Sequence, residues 1–386
     1  MSPRDRIATT TIVMRALRSG LRATGLAVAA AALLAPGVVA QERPAPTHDE
    51  VAPGVHVFRT APYGPVGLDG NSVVVVGDDA VLVFDTNGTP SAAAAVLAGI
   101  RALTDAPVRW VVLSHWHWDH WYGTEIYRRA FPDVQVIAHE KTAAMMRGPA
   151  IEFNRPGLEQ QLPAFIASLE RRLAAGEAAG SPPEDLVSLR AMVADSRFFL
   201  EQKASADLVL PDVTFRERLE LDVGGRRVEV LNFGRAVTPG DALLRLPSEG
   251  VVVTGDLVIQ PVTFALSVYP TEWIAALERL DALDARILIP GHGPAMRDEE
   301  HLHATLGALR EVRRLGGAAH ARGLEPDAAR EEMMPDLHDA MVRVTGGDAE
   351  VNRAFEQQLV DWYLHRLWEE FEGPLSDTVI AGIPSR

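Results

Sequence analysis

Seven consecutive residues, Ser114-His115-Trp116-His117-Trp118-Asp119-His120, bring three imidazoles and a carboxylate within six positions of one another. In an extended or looping backbone the side chains at i and i+2 point the same way, so His115 and His117 can share one cation. Past the bend, Asp119 and His120 can reach a second position a few ångströms away. The chain has no cysteine, so any metal must be held by His, Asp or Glu. Two further segments carry the same type of chemistry. Val251-Val252-Val253-Thr254-Gly255-Asp256 and Ile287-Leu288-Ile289-Pro290-Gly291-His292-Gly293 each run from an apolar strand through glycine to one ligand-type side chain. Three such strand ends can converge at one sheet edge, and the glycines let the backbone turn sharply and approach closely. The chemistry that follows is metal-assisted hydrolysis, because a bound cation lowers the pKa of water toward neutrality and polarises the bond under attack. No Ser-His-Asp arrangement competes, and Gly64-Pro65-Val66-Gly67 lacks the Lys-Ser/Thr that a nucleotide-phosphate loop needs.

These segments need elements to position them. Residues 108–113, 134–138, 228–231, 242–246, 251–253 and 287–289 are short apolar runs closed by polar residues or glycine, the pattern of strands buried on both faces. Residues 72–76 and 80–84, separated by Gly77-Asp78-Asp79, read as a hairpin. Residues 91–103 are Ala-rich with Leu97, Ile100 and Leu103 at helical spacing behind Pro90. Strands interleaved with helices imply a layered α/β or α+β core. Between residues 150 and 206 the pattern turns helical, with Leu158, Leu162, Phe165, Ile166, Leu169 and Leu173 on one stripe, and this reads as an insertion covering one edge of a pocket. A C-terminal helical extension, residues 298–386, carries an apolar stripe of Phe355, Leu359, Trp362, Tyr363 and Leu367 that packs on the body or on a partner subunit.

Across all 386 residues, 47% are hydrophobic and 23% charged, with a net charge of -15, which excludes disorder and basic nucleic-acid tails. Residues 1–40 read as a secretory signal peptide: five arginines precede the apolar run at 26–35, and Val38-Val39-Ala40 is a small-x-small cleavage site before Gln41. The expectation is export to the periplasm or beyond, with no membrane span after cleavage and a linker over 41–52. Removing residues 1–40 leaves a net charge of -19, which repels phosphate backbones and anionic lipid. The expected partner is a small-molecule substrate, with no nucleic acid.

His115-x-His117-x-Asp119-His120, Thr254-Gly255-Asp256 and Gly291-His292-Gly293 together resemble the metallo-β-lactamase-fold hydrolase superfamily, in order and in spacing. The resemblance implies an α+β fold, a four-layer αββα sandwich spanning residues 53–297, with zinc at one edge. It assigns His115 and His117 to a first metal and Asp119, His120 and His292 to a second, with Asp256 bridging them and Asp119 orienting the attacking water. Family members take a third first-site histidine from a Gly-x-x-His-Thr-x-Gly-Asp segment. Here that stretch is Gly234-Arg235-Ala236-Val237-Thr238-Pro239-Gly240-Asp241, and Val237 stands at the ligand position. A valine cannot bind zinc, so the second site is expected to be better occupied than the first. Iron or manganese would tolerate the same ligands. The expected function is an exported zinc-dependent hydrolase using metal-activated hydroxide on a small ester, lactone, thioester or amide. The alternatives are a β-lactamase and a non-catalytic metal- or ligand-binding protein. Trp116, Trp118, Tyr122 and Phe264 read as the wall of a substrate pocket or as scaffold beneath the metal loop. Arg235 reads as a replacement for lost positive charge, a clamp for a substrate anion, or a solvated cation; His139 reads as structural.

Overall fold

The computed structural model describes residues 43–378. The expected signal segment, residues 1–40, lies outside the described residues. Two mixed sheets pack face to face, as the sandwich expectation required. The first has seven strands in sequential order: β1 (Thr47–Ala52), β2 (Val55–Arg59), β3 (Ser72–Val76), β4 (Val81–Phe84), β5 (Val108–Leu113), β6 (Gln135–His139) and β7 (Val213–Phe215). The second has five, running from β12 (Ile287–Pro290) through β11 (Val251–Gly255), β10 (Ala242–Leu246) and β9 (Arg226–Asn232) to β8 (Arg218–Val223). Residues 47–52, read from the sequence as linker, form the edge strand β1, which pairs antiparallel with β2 from Thr47↔Arg59 to Ala52↔Val55. Their polar side chains carry little strand signal, and β2 supplies the hydrogen-bonding edge that organises them.

The period of two along each strand sorts side chains between layers. Val81 and Val83 of β4, and Val111 and Leu113 of β5, face outward onto a helical layer. Leu82, Phe84 and Val112 face inward against Val228, Val230, Val251 and Val253 of the other sheet. The outer layer begins with α1 (Pro90–Leu103), where Thr89 caps the helix by accepting from the Ala92 amide, and Ala93, Val96, Leu97 and Ile100 form the buried stripe. On the far face, Leu243, Val252 and Leu288 pack beneath α8 (Pro270–Asp281) and α9 (Glu300–Ala321).

Parallel pairing sets where the chemistry lies. Strands β4, β5, β6 and β7 run parallel, as do β11 and β12, so their C-terminal ends gather at one edge. Beyond β5 come the one-turn helix α2 (Trp118–Trp121) and α3 (Thr124–Ala130), and beyond β6 come α4 (Glu140–Met146) and α5 (Pro149–Pro156). The inserted segment continues as a π turn at Gly157–Gln161, then α6 (Leu162–Ala178) and α7 (Val187–Ser205). Its own small core of Leu162, Phe165, Ile166, Leu169, Val193 and Phe199 closes on Tyr63 and Val66.

The C-terminal helices α10 (Pro326–Met333), α11 (His338–Thr345), α12 (Ala349–Ala354) and α13 (Asp361–Glu372) share one continuous core with α8, α9 and the outer face of the second sheet. They also grip the loop after β11 by its backbone. The Ala265 amide donates to the Gln358 carbonyl at 2.8 Å, Arg366 Nε donates to the Val268 carbonyl at 2.9 Å, and the Tyr363 hydroxyl donates to the Pro270 carbonyl at 3.2 Å. Gln358 lies in a π turn, Phe355–Val360, where the ordinary helical ladder is interrupted and a carbonyl is free for this contact.

Candidate metal centre

Six ligand-type side chains meet at the shared strand edge. Their ligand atoms form two groups, His115 with His117 and Asp256, and Asp119 with His120 and His292, each within 4.8 Å. Asp256 faces both groups. Its Oδ2 is 3.4 Å from His115 Nε2, while its Oδ1 is 3.3 Å from His120 Nε2 and 3.6 Å from His292 Nε2. Asp119 Oδ2 is 3.3 Å from His120 Nε2 and 3.0 Å from His292 Nε2. The close approach of the last strand end needs Gly291, since a Cβ there would sit 2.0 Å from Asp256 Oδ1.

The donor set fits a metal. His115 Nε2, His120 Nε2 and Asp256 Oδ1 are all buried, and none has a hydrogen-bond partner among the described residues. Orphaned buried polar atoms are costly, and these converge on one another with imidazole and carboxylate chemistry suited to zinc. The electrostatics agree. Burial alone would raise both carboxyls, but His120 chiefly, with His292, holds Asp119 and Asp256 well below the usual carboxylate range. Burial opposes charge on His120 too, yet Asp256, Asp119 and Asp85 outweigh it and hold the imidazole well above its ordinary value. His117 is pushed down to about 3 by burial and then by His115.

Three supporting residues escape the motif reading. Asp85, at the end of β4, adopts a left-handed backbone with φ 62° and is fully buried. Its Oδ2 lies 2.7 Å from His120 Nδ1, and its Oδ1 accepts the Ser114 amide at 2.7 Å, tying the ligand to the start of the metal loop. The signal for it exists, because Asp85 follows an apolar strand in the same way as Asp256 does. Asn71 donates from Nδ2 to the carbonyls of Pro290 and Gly293, each at 2.8 Å, bracing the turn that presents His292. Ser267 donates to the Val237 carbonyl at 2.8 Å and lies 3.2 Å from His117 Nε2. Val237 itself is buried in the far helical core. Asp85→Asn tests the first of these: asparagine tolerates the left-handed backbone, so the fold should persist while zinc affinity, measured by chelator competition, falls about 10- to 100-fold.

Of the aromatics read as pocket wall or as scaffold, two are scaffold. Trp116 and Tyr122 are buried in the helix-facing core, where they support the loop, and Trp116 stacks edge-on against His117. Trp118 is half-buried against Phe199 of the insertion. Phe264 is half-buried and sits near Trp362 of the C-terminal helices, with ring centroids 6.4 Å apart. Arg235 holds no charge at the metal ligands: it stacks over Tyr269, pairs with Glu272, and donates to the Leu375 carbonyl at 2.9 Å. A distant C-terminal segment captures it, which no local pattern announces. His139 caps α4 by accepting from the Lys141 amide at 3.2 Å, a structural role. The ligand cluster is sealed at His115, His120 and Asp256 and more open at His117, Trp118 and Asp119.

The chain belongs to the metallo-beta-lactamase superfamily, whose sequence pattern it matches over residues 65–292. It is 22% identical over 286 residues to the linear primary-alkylsulfatase of Pseudomonas sp. (strain ATCC 19151), covering 69% of this chain and 50% of that protein. The chain thus spans about half the length of that curated relative. Among solved structures, a double mutant of the sec-alkyl sulfatase PisA1 is similar with a TM-score of 0.57 at 18% identity, over 85% of this chain and 50% of that one. The metallo-beta-lactamase from Pontibacter korlensis gives 0.48 at 19% identity, over 69% of this chain and 99% of that one. The PisA1 likeness is one of fold.

Proposed function

We propose that the chain is an exported, zinc-dependent hydrolase of ester bonds, with alkyl sulfate esters as the first substrates to test. One observation carries the hydrolase reading: Asp256 turns one oxygen toward His115 and the other toward His120, and the buried atoms His115 Nε2, His120 Nε2 and Asp256 Oδ1 have no hydrogen-bond partner among the described residues. Zinc held there would supply a water of lowered pKa and polarise the bond under attack. His115, His117 and Asp256 would hold one ion, and Asp119, His120 and His292 with Asp256 the other. Substrate approaches over His117, Trp118 and Asp119, the more exposed side of the cluster. Asp119 is the more accessible of the two carboxylates, at 13% against 6% for Asp256. It is therefore the group placed to orient water and pass a proton to the leaving oxygen. Sulfate esters are favoured over the carbonyl compounds expected from the sequence because alkylsulfatase likeness occurs both in sequence and in fold.

The test is elemental analysis of the purified chain and of His292→Ala, followed by turnover of dodecyl sulfate, an aryl acetate, a lactone and a chromogenic β-lactam. The expected result is bound zinc, about one ion per chain fewer in the variant, and sulfate release from the alkyl sulfate. Bound zinc with carbonyl turnover alone would overturn the sulfate ester; a chain that takes up no metal would overturn the hydrolase.

A further inference from the structure

Lys203 is 5% exposed, and its Nζ has no hydrogen-bond partner among the described residues. It sits near the end of α7, where the chain is fastened on both sides. Gln202 accepts the Ser91 amide at 2.9 Å, and the Asp207 amide donates to Glu125 at 3.1 Å. From this fixed point the ammonium reaches between two rings, 3.4 Å above the Tyr122 centroid and 3.8 Å above that of Trp118, with Phe199 at 5.9 Å. Burying an amine without a hydrogen-bonded partner is expensive, and an apolar side chain would fill the same space without that cost. Two aromatic faces replace part of the lost hydration.

Trp118 and Tyr122 are the two ends of one helical turn, joined by the Tyr122 amide donating to the Trp118 carbonyl at 3.2 Å. Between them in sequence lie Asp119 and His120. The Trp118 ring is itself closely packed: a Cβ on Gly88 would meet it at 2.3 Å, and Phe199 packs edge-on at 5.2 Å. We propose that Lys203 is a positioning residue of the metal loop: clamped between Trp118 and Tyr122, it fixes the turn that presents Asp119 and His120, so the helical insertion sets the geometry of the second ligand group.

The inference shares with the hydrolase reading only the assignment of metal ligands, and its test needs no substrate. Zinc affinity is measured by chelator competition in two backgrounds: His117→Ala, which keeps Asp119, His120 and His292, and His292→Ala, which keeps His115, His117 and Asp256. Lys203→Met should weaken zinc about 10- to 100-fold in the first background and less than about threefold in the second, and Lys203→Arg should restore most of the loss. Equal losses in both backgrounds, no loss in the first, or failure of arginine to rescue would overturn the proposal. Should Lys203→Met fail to fold, Tyr122 supplies the answer from the other side of the clamp. Tyr122→Phe keeps the aromatic face and should leave the affinity of the second group unchanged, whereas Tyr122→Leu should lower it. Equal affinities for these two variants would likewise overturn the proposal. A chain that binds zinc as described yet turns over no ester would defeat the hydrolase reading and leave this one standing.

Discussion

Asp256→Ala is expected to strip zinc from both ligand groups and to lower hydrolysis by about three orders of magnitude or more. Among the described residues, Asp256 is the one side chain whose oxygens face both groups, 3.4 Å from His115 on one side and 3.3 Å from His120 on the other. A metal acting as Lewis acid contributes several kcal/mol of charge stabilisation in the transition state, and each 1.4 kcal/mol is a factor of ten in rate. Removing a carboxylate that two ions would share should therefore outweigh removal of a ligand that would serve a single ion. His117→Ala provides the comparison, since the second group of Asp119, His120 and His292 stays whole. The check is elemental analysis of both variants beside turnover of whichever ester the wild type accepts. Undiminished zinc in Asp256→Ala would show that the two groups do not share this carboxylate.

The six ligand-type side chains that the fold gathers were legible because each is announced by its own few residues. A histidine cluster after an apolar strand, and a glycine-flanked Asp or His at two further strand ends, specify chemistry and place at once. The supporting residues were not legible to the same degree, because their roles come from neighbours far away in sequence. Asp85 becomes the partner of His120 only because β4 lies parallel beside β5, with Phe84 opposite Val112. Asn71 reaches a turn more than two hundred residues away. Arg235 carried a plausible role at the depleted first group until the C-terminal segment around Leu375 and Asp377 captured it. The aromatics beside the motif were balanced between pocket and scaffold, and burial decides for Trp116 and Tyr122. Lys203 falls on the buried stripe of α7 with Leu189, Val193, Ser196 and Phe199, but only the fold shows that it lies between two rings of the metal loop. Periodicity specifies which face of a helix is buried, but not what it is buried against.

A chain ending at Arg297 is expected to be insoluble or unfolded rather than to retain a trimmed catalytic body. Phe355, Leu359, Val360, Tyr363 and Leu367 are each 0% exposed, and they share one core with Trp273 and Leu277 of α8 and with Leu288 of β12. Burial of such a side chain contributes about 1.5–3 kcal/mol, so these five alone account for roughly 10 kcal/mol, as large as the whole stability of an ordinary domain. The loss would also reach the metal centre. Without Gln358, Tyr363 and Arg366, the segment from Ala265 to Pro270 loses three of its backbone anchors, and Ser267 in that segment lies 3.2 Å from His117 Nε2. The outer layer of the second sheet is thus completed by helices encoded last in the chain, and the first ligand group depends on them. Leu367→Ala is the milder form of the same lesion, expected to cost about 3 kcal/mol and to be read as a lowered midpoint in thermal or urea unfolding. A truncated chain that stays soluble, melts cooperatively and binds zinc as the whole chain does would mean that the C-terminal helices are a separable domain and that the sandwich closes its core without them.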